Sequence, residues 1–233
     1  MKMLIITILL FSGIATAAIK NESELSMIQS GGNSEVMTAN GKSTILYKWP
    51  KNAIQFGGHY TYGESKNFVS ARNWDALTRY EREMTSKLSL VGGEIIEGNE
   101  FVRIKARYNT DLGAKYFHLK DPGKIFFTEL VYRYAIEDRY DPLDNSFEHK
   151  GRLYNEFEHK YAENMKYSFW LEYVPNFNNG EDYLVNGEIS LTSIISSTFS
   201  LKVSYKGQYD NRPASDELKN YDFISTTGLV ANF

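Results

Sequence analysis

Apolar and polar residues exchange places at every second position along most of this chain. In the stretch 199–209, one set of alternate positions reads Phe, Leu, Val, Tyr, Gly, Tyr and the other reads Ser, Lys, Ser, Lys, Gln. Side chains of a β-strand point alternately to opposite faces, so this period of two predicts strands with one apolar and one polar face. The pattern is poorer at 87–97 and 152–160, where we expect a bulge or a shift in register.

The number and spacing of these stretches restrict the fold further. Counting from a first strand at 22–29 gives roughly twelve strands of about ten residues, the length that a tilted strand needs to cross a bilayer. Short connections alternate with longer polar segments, among them 64–70, 98–103 and 138–148. This predicts an all-β, antiparallel, up-and-down transmembrane barrel, with tight turns and both termini at one end and loops at the other. The region 98–107 is less regular, so the sixth strand is the least well defined.

The composition agrees with a wall that has one apolar and one wet side. Aromatic residues make up 15% of the chain, with 17 Tyr and 14 Phe, although the mean hydropathy is only −0.42. Many of these rings fall near strand ends, which predicts aromatic girdles at both membrane interfaces and is not expected of a secreted β-sandwich. A net charge of −3 argues against nucleic-acid binding. The absence of cysteine excludes disulfides, cysteine zinc sites and a cysteine nucleophile.

The first seventeen residues have the form of an export signal. Lys2 is followed by a short apolar run at 3–11, and Ala15-Thr16-Ala17 supplies a small-residue cleavage pattern. The run is too short for a spanning helix, and no later segment has the roughly 20 apolar residues that one requires. We therefore expect a signal peptide at 1–17 and a barrel domain at 18–233, located in a bacterial outer membrane.

The C-terminal residues have the form of an outer-membrane assembly signal. Gly228, Ala231 and the terminal Phe233 follow the pattern of glycine, small or apolar residue and final aromatic that the assembly machinery of such membranes reads. The expected partners are this machinery and periplasmic chaperones during insertion, and then outer-membrane lipid and lipopolysaccharide. We expect a monomer.

The polar faces of the strands are expected to line the lumen. They carry bases and acids in equal number, so no charge selectivity is expected. Roughly twelve strands fall between filled small barrels and open porins, which favours a narrow passive channel for small hydrophilic solutes; a structural or stress-response barrel with a closed lumen is the alternative. The candidate lumen-lining residues are Asp75, Arg79, Asp111, Lys115, Glu129, Arg133, Lys166, Glu172, Glu188, Lys202, Lys206 and Asp222.

Catalysis is not expected. A barrel hydrolase needs a nucleophile with a histidine and an orienting polar group, and none of the four histidines has a recognisable Ser or Asp motif beside it. His59 falls on a polar face with Gln55 and Thr61, as a lumen hydrogen-bonding residue. The acidic residues at 138–148 do not have calcium-loop spacing. We therefore expect neither a metal nor a cofactor.

Three short motifs resemble those of a known family. They are Gly32-Asn33-Ser34-Glu35 after the first strand, an Asn73-Trp74 strand that ends in Arg79-Tyr80-Glu81-Arg82, and the 228–233 terminus. With these motifs, most of the mature chain resembles the salt-induced outer-membrane proteins, the YdiY-like group of uncharacterised barrels. The resemblance implies an outer-membrane location and a barrel of about this size, and it supplies no catalytic residues.

Overall fold

A computed structural model describes residues 18–30, 36–141, 145–213 and 219–232. The export signal at 1–17, the motif at 32–35 and Phe233 lie outside these residues. The chain forms twelve strands and one short 3-10 turn at Glu100–Val102. The strands are β1 Ala18–Ser30, β2 Val36–Trp49, β3 Asn52–Ser65, β4 Phe68–Glu83, β5 Leu88–Asn99, β6 Ile104–Asp121, β7 Lys124–Arg139, β8 Ser146–Ala162, β9 Met165–Pro175, β10 Tyr183–Ile194, β11 Phe199–Asp210 and β12 Tyr221–Asn232.

The strands close into a single antiparallel barrel. Each strand pairs with its neighbours in sequence, and β12 pairs with β1 to complete the ring. Short turns, such as residues 50–51 and 122–123, lie at one end, which we call the short-turn end. The other end, the loop end, carries the longer connections at 176–182 and 211–220. β1 starts and β12 finishes at the short-turn end, so the predicted all-β up-and-down barrel is confirmed in strand number and topology.

Two boundaries differ from the sequence prediction. β1 begins at Ala18 instead of residue 22, and it pairs with β2 from that residue onward. The predicted long loop at 64–70 is wrong, because β3 and β4 join through the two-residue turn Lys66-Asn67 at the loop end. Both turn residues have positive φ, 50° and 66°, as the tightest hairpin turns require.

The stretches with irregular sequence patterns correspond to β6 and to β-bulges in the structure. β6 is the longest strand of the barrel, with 18 residues, although the region 98–107, where it begins, is irregular in sequence. Register shifts fall between Glu97 and Asn99 and between Lys160 and Ala162, at the ends of the two stretches where the alternation is poor. The extra residue in a bulge breaks the period of two without ending the strand.

The outer surface is apolar and carries aromatic rings toward both ends. Tyr47 and Trp49 lie 5.3 Å apart between ring centroids at the short-turn end, and Tyr205 stacks on Phe223 at 5.5 Å toward the loop end. In the region between the two ends, Leu25, Leu112 and Leu130 are 72%, 69% and 68% exposed, respectively. The described residues contain no helix with the length and apolarity that crossing a membrane would need.

The barrel seam is the least complete of the strand junctions. β1 and β12 pair at five positions, from Glu22 with Asn232 to Ser26 with Gly228. β1 pairs with β2 at thirteen positions, and β12 pairs with β11 at eleven. Toward the loop end, residues 27–30 and 221–227 therefore continue as strands with no partner across the seam.

Candidate functional site: the barrel lumen

Alternate positions on each strand face the lumen, and the residues nominated from the sequence lie mostly among them. Pairing register and burial place eleven of the twelve at the covered, inward positions of β4, β6, β7 and β9–β11. Asp222 shares that register, opposite Gln208, but is exposed at the loop end. The eleven are Asp75, Arg79, Asp111, Lys115, Glu129, Arg133, Lys166, Glu172, Glu188, Lys202 and Lys206. Gly228 is buried on the inward side of β12, whereas Ala231 lies on the alternate face.

One side of the lumen, formed by the inward faces of β4–β9, is lined by ion pairs; we call it the charged wall. Glu129 at its centre has a side chain only 4% exposed and contacts three bases. Its carboxylate lies 2.5 Å from Arg79, 2.9 Å from Arg152 and 3.9 Å from the Lys115 ammonium. A buried charge is tolerated only when it is paired and hydrogen-bonded, and here several cations share that task.

Two inward-facing glycines allow this arrangement. Arg79 on β4 must cross β5 and β6 to reach Glu129 on β7. A Cβ built on Gly93 would lie 2.5 Å from the carbonyl oxygen of Thr78, and one on Gly113 would overlap the carbonyl oxygen of Leu130. Neither position carries a side chain, so none stands between Arg79 and Glu129 at these points of β5 and β6.

Two further groups extend the charged wall toward the loop end. Arg133 donates two hydrogen bonds to Asp111, of 2.7 and 2.8 Å, in the bidentate geometry that guanidinium favours with carboxylates. Glu137, whose side chain is 1% exposed, accepts from Arg107 at 2.6 Å and from Arg139 at 2.6 Å. Lys150 lies 3.7 Å from the same carboxylate.

Toward the short-turn end, the charged wall rests on inward-facing aromatic rings. Tyr154 and Trp170 stack with centroids 5.8 Å apart. The Lys115 ammonium lies 4.0 Å from the centroid of the Phe127 ring, and the Arg152 guanidinium lies 4.5 Å from that of Tyr154. Cations over aromatic faces are attracted to the ring quadrupole, so these rings share in holding the bases in place.

The opposite side, the hydroxyl wall, consists of the inward faces of β10–β12 and β1–β3. It has many Ser and Thr side chains and fewer ion pairs than the charged wall. Ser204 and Thr226 share a hydrogen bond of 2.6 Å, and Ser190 bonds to Ser168 of the adjoining β9 at 2.7 Å. The main ionic group on this side is Lys202, which contacts Glu188 at 3.1 Å and Glu24 at 3.2 Å.

His59 belongs to a chain of hydrogen bonds that joins β2, β3 and β4. One ring nitrogen lies 3.0 Å from an Asp75 oxygen and the other lies 2.9 Å from the Thr61 hydroxyl. That hydroxyl donates to Asn40 at 2.7 Å, and Thr61 is only 4% exposed. The threonine oxygen is thus engaged by the protein itself and is not presented to the lumen as a nucleophile.

Among the described residues, two of the nominated charges have no ion-pair partner within 4 Å, namely Lys206 and Asp222. Lys166 pairs with Glu158 at 3.1 Å. Several lumen charges escaped the sequence reasoning, including Glu24, Glu97, Arg107 and Lys150. Glu97 and Arg107 lie beside register shifts, which interrupt the alternation that would have marked them. No group of three or more His, Asp or Glu side chains suited to a metal occurs in the described part of the chain.

A cavity of about 440 Å³ lies against the charged wall. The charged wall and the neighbouring part of β3 line it, with Arg79, Glu81, Asp111, Lys115, Glu129 and Glu156 among the polar groups. The space holds acids and bases together, so it has no single-sign lining of the kind that selects one class of ion.

Two solved structures share the fold of the chain. A NanC porin structure superimposes with a TM-score of 0.52 at 10% sequence identity, covering 92% of this chain and 98% of the porin chain. The COG4313 outer membrane channel from Pseudomonas putida F1 gives a TM-score of 0.52 at 9% identity, covering 95% of this chain and 96% of the channel chain. At these identities the likeness concerns the fold alone.

Sequence comparison relates the chain to a protein family. No curated protein matches the chain. A family model described as a protein of unknown function, DUF481, matches residues 23–233, which is almost the whole barrel. The chain therefore belongs to the DUF481 family.

Proposed function

We propose that this protein is a monomeric barrel of the bacterial outer membrane and a narrow passive channel for small hydrophilic solutes. The exposed leucines of the outer surface, with aromatic rings toward both ends, support a location in lipid. Large continuous apolar patches are rare on the surface of soluble monomers. The expected export signal and the assembly signal around Gly228 and Phe233 agree with this location. Lipopolysaccharide, periplasmic chaperones and the assembly machinery are the proposed partners.

The observation that carries the channel proposal is the uneven filling of the lumen. Long charged side chains pair densely along the charged wall, while the hydroxyl wall has fewer ion pairs and places Ser and Thr side chains among them. Acids and bases neutralise each other along the charged wall, so a polar solute would meet hydrogen-bonding groups without a net field of one sign. Such a lining suits small neutral or zwitterionic solutes.

The alternative is a closed structural barrel, and the bridge from Arg79 to Glu129 favours it. This pair spans three strand junctions and lies on the wall of the cavity. If the ion pairs and rings fill the narrowest part of the lumen, the same residues stiffen the barrel and stop flux.

Single-channel conductance in a planar bilayer distinguishes these two functions. The refolded mature protein must first show the gel shift between folded and boiled samples that barrels give. We expect small ohmic steps with little ion preference, and larger steps for Arg79→Ala, because the substitution shortens a side chain that lines the cavity of the lumen. Arg72→Gln is the matched control, since Arg72 pairs with Glu100 at the exposed loop end and should leave conductance unchanged.

A silent bilayer with verified insertion, for both the wild type and Arg79→Ala, would contradict the channel and favour the closed barrel. A lipid-modifying activity remains a separate possibility to test, because His59, Asp75 and Thr61 form a hydrogen-bonded chain. Hydrolysis of phospholipid by the purified protein, lost in His59→Ala, would show that this chain has a catalytic role. We expect no hydrolysis, because the Thr61 hydroxyl is buried and donates to Asn40.

A further inference from the structure

The seam between β1 and β12 is open over its half nearer the loop end. Beyond the last pair, Ser26 with Gly228, each strand keeps its partner on the other side: Met27 still pairs with Ala39 of β2 and Thr227 with Val203 of β11. Two strand edges thus face each other without ladder hydrogen bonds. Unpaired backbone groups are very unfavourable against hydrocarbon, so this gap needs a polar occupant or polar neighbours.

A groove of about 540 Å³ lies at this gap. Its outer part is apolar and is formed by rows of lipid-facing side chains on β10 and β11, continued by Met27 on β1. Its other lining residues include Ser190, Ser204 and Thr226, whose side chains belong to the hydroxyl wall. The outer lining consists of Met27, Ile189, Leu191, Val203 and Tyr205.

The surface polarity changes at the same place. Ser225 and Thr227 occupy outward positions on β12, where the neighbouring β11 presents Val203 and Tyr205. The groove therefore extends the lipid-facing apolar band to the unpaired edge of β12, and the hydroxyl of Thr226 lies on the inner side of that edge. Its volume is within the range of about 300–1,000 Å³ that small-molecule sites have.

A base stands on the inner side of the gap. Lys206 faces inward in register with Ile224, within the part of β12 that has no partner in β1. Among the described residues, Lys206 has no acid within ion-pairing distance, whereas the neighbouring Lys202 is paired twice. Lys206 lies opposite Glu188 in the ladder, but Glu188 pairs with Lys202, so the Lys206 ammonium can bind an anionic head group that passes the edge of β12.

From these observations we infer that the seam is a lateral port for a single-chain amphiphile with an anionic head group. The acyl chain lies along Leu191 and Val203, and the head group passes Thr226 at the open edge of β12 and reaches Lys206 on the inner face of the sheet. The inference rests on the membrane location proposed above but not on conductance, because a port of this kind connects the lumen to the lipid and can operate in a barrel that passes no ions.

The test uses a photoactivatable fatty acid, palmitate with a diazirine in its chain, added to phosphatidylcholine vesicles that contain the refolded protein. Mass spectrometry then locates the labelled residues. We expect label on the outward Val203 and also on the inward Ser204 and Thr226. Label confined to outward residues would overturn the inference, whatever the bilayer recordings show.

The chain has no cysteine, so the gap can be locked without other changes. If the pairing continued past Ser26, residue 27 would face residue 227, and an oxidised Met27→Cys/Thr227→Cys variant would hold the gap shut. Label on Ser204 and Thr226 should disappear after oxidation and return after reduction. Leu25→Cys/Leu229→Cys is the control, since Leu25 and Leu229 already pair and their link should leave labelling unchanged.

Two further variants keep the test decisive if the disulfide does not form. Ser225→Trp fills the outer groove and should abolish inward label in the same way. Lys206→Gln should weaken labelling by palmitate but not by the uncharged hexadecanol analogue. Equal inward labelling of the wild type, the oxidised lock and Ser225→Trp would refute the port, and equal loss with both probes in Lys206→Gln would refute the anionic head group.

Discussion

The two walls of the lumen solve the same problem with different groups. The charged wall neutralises long buried side chains with one another, as Arg133 and Asp111 do at 2.7 Å. The hydroxyl wall uses short neutral groups such as Ser204 and Thr226, which bond locally across one strand junction. Ion pairs that skip strands demand one exact register over several strands, whereas hydroxyl pairs constrain only adjacent strands. The charged wall should therefore hold the greater share of the specific stability of the barrel.

The largest effect is expected from breaking the Arg133–Asp111 pair. Both side chains are nearly covered, at 10% and 7% exposure. Arg133→Met leaves Asp111 charged and unpaired, which should lower the free energy of unfolding by about 3–5 kcal/mol. Urea unfolding of the refolded barrel in vesicles, followed by tryptophan fluorescence, measures the loss. The double variant Asp111→Leu/Arg133→Met should recover most of it; a double variant as unstable as the single one would show that the pair is not the cause.

Next in size is the effect of closing the space between strands at Gly113. In Gly113→Ala the new methyl group would overlap backbone atoms of β7, and overpacking of this kind costs about 1–3 kcal/mol. Gly58→Ala is the control, because its methyl group would meet nothing closer than an Asp75 oxygen at 3.6 Å. Equal unfolding free energies for the two variants would contradict the close approach of β6 and β7.

A smaller loss is expected on the hydroxyl wall. Ser204→Ala removes one neutral hydrogen bond, to Thr226, and should lower the free energy of unfolding by about 0.5–1.5 kcal/mol. Adding Thr226→Val removes the orphaned partner and should restore part of the loss. If Ser204→Ala destabilised the barrel as much as Arg133→Met, the contrast between the walls would be wrong.

The smallest effect is expected at the loop end. Arg72 and Glu100 form an ion pair of 2.9 Å whose side chains are 44% and 46% exposed. Arg72→Gln should change the free energy of unfolding by only about 0–1 kcal/mol. The difference from the wild type should vanish at about 1 M salt, where exposed charges are screened within about 3 Å. A salt-independent loss would point to a buried role for this arginine.

Strand number, order and closure follow from the period of two, since β9 and β11 keep it throughout. Prediction fails where the fold depends on a backbone conformation that the pattern of apolar and polar residues does not reveal. Lys66 and Asn67 form a tight turn through positive φ, which a polar stretch does not reveal. The bulge at Glu97 hides the inward position of that residue.

The contacts inside the lumen were less predictable than the number and order of the strands. Alternation assigns a face to each side chain, and it places Arg79 and Glu129 on the same one. It does not show that they meet, because their contact passes over β5 and β6 where Gly93 and Gly113 carry no side chain. The bond between His59 and Asp75 was missed for a similar reason: it depends on the hairpin register, which the turn at Lys66 and the register shift between Gly63 and Glu64 together determine.

The bridge between Lys202 and Glu24 has a consequence for how the barrel is made. These residues are 178 positions apart. Their contact spans the closing junction of β1 with β12, whereas every other junction joins strands that are neighbours in sequence. Hairpins can form early and locally, but closure requires the last strand to find the first, the slowest kind of contact for a folding chain. Until β12 is present, the free edge of β1 can pair with any other extended chain. The edge of β1 must therefore be shielded until β12 pairs with it. This fold requires that shielding as much as it requires the apolar outer surface.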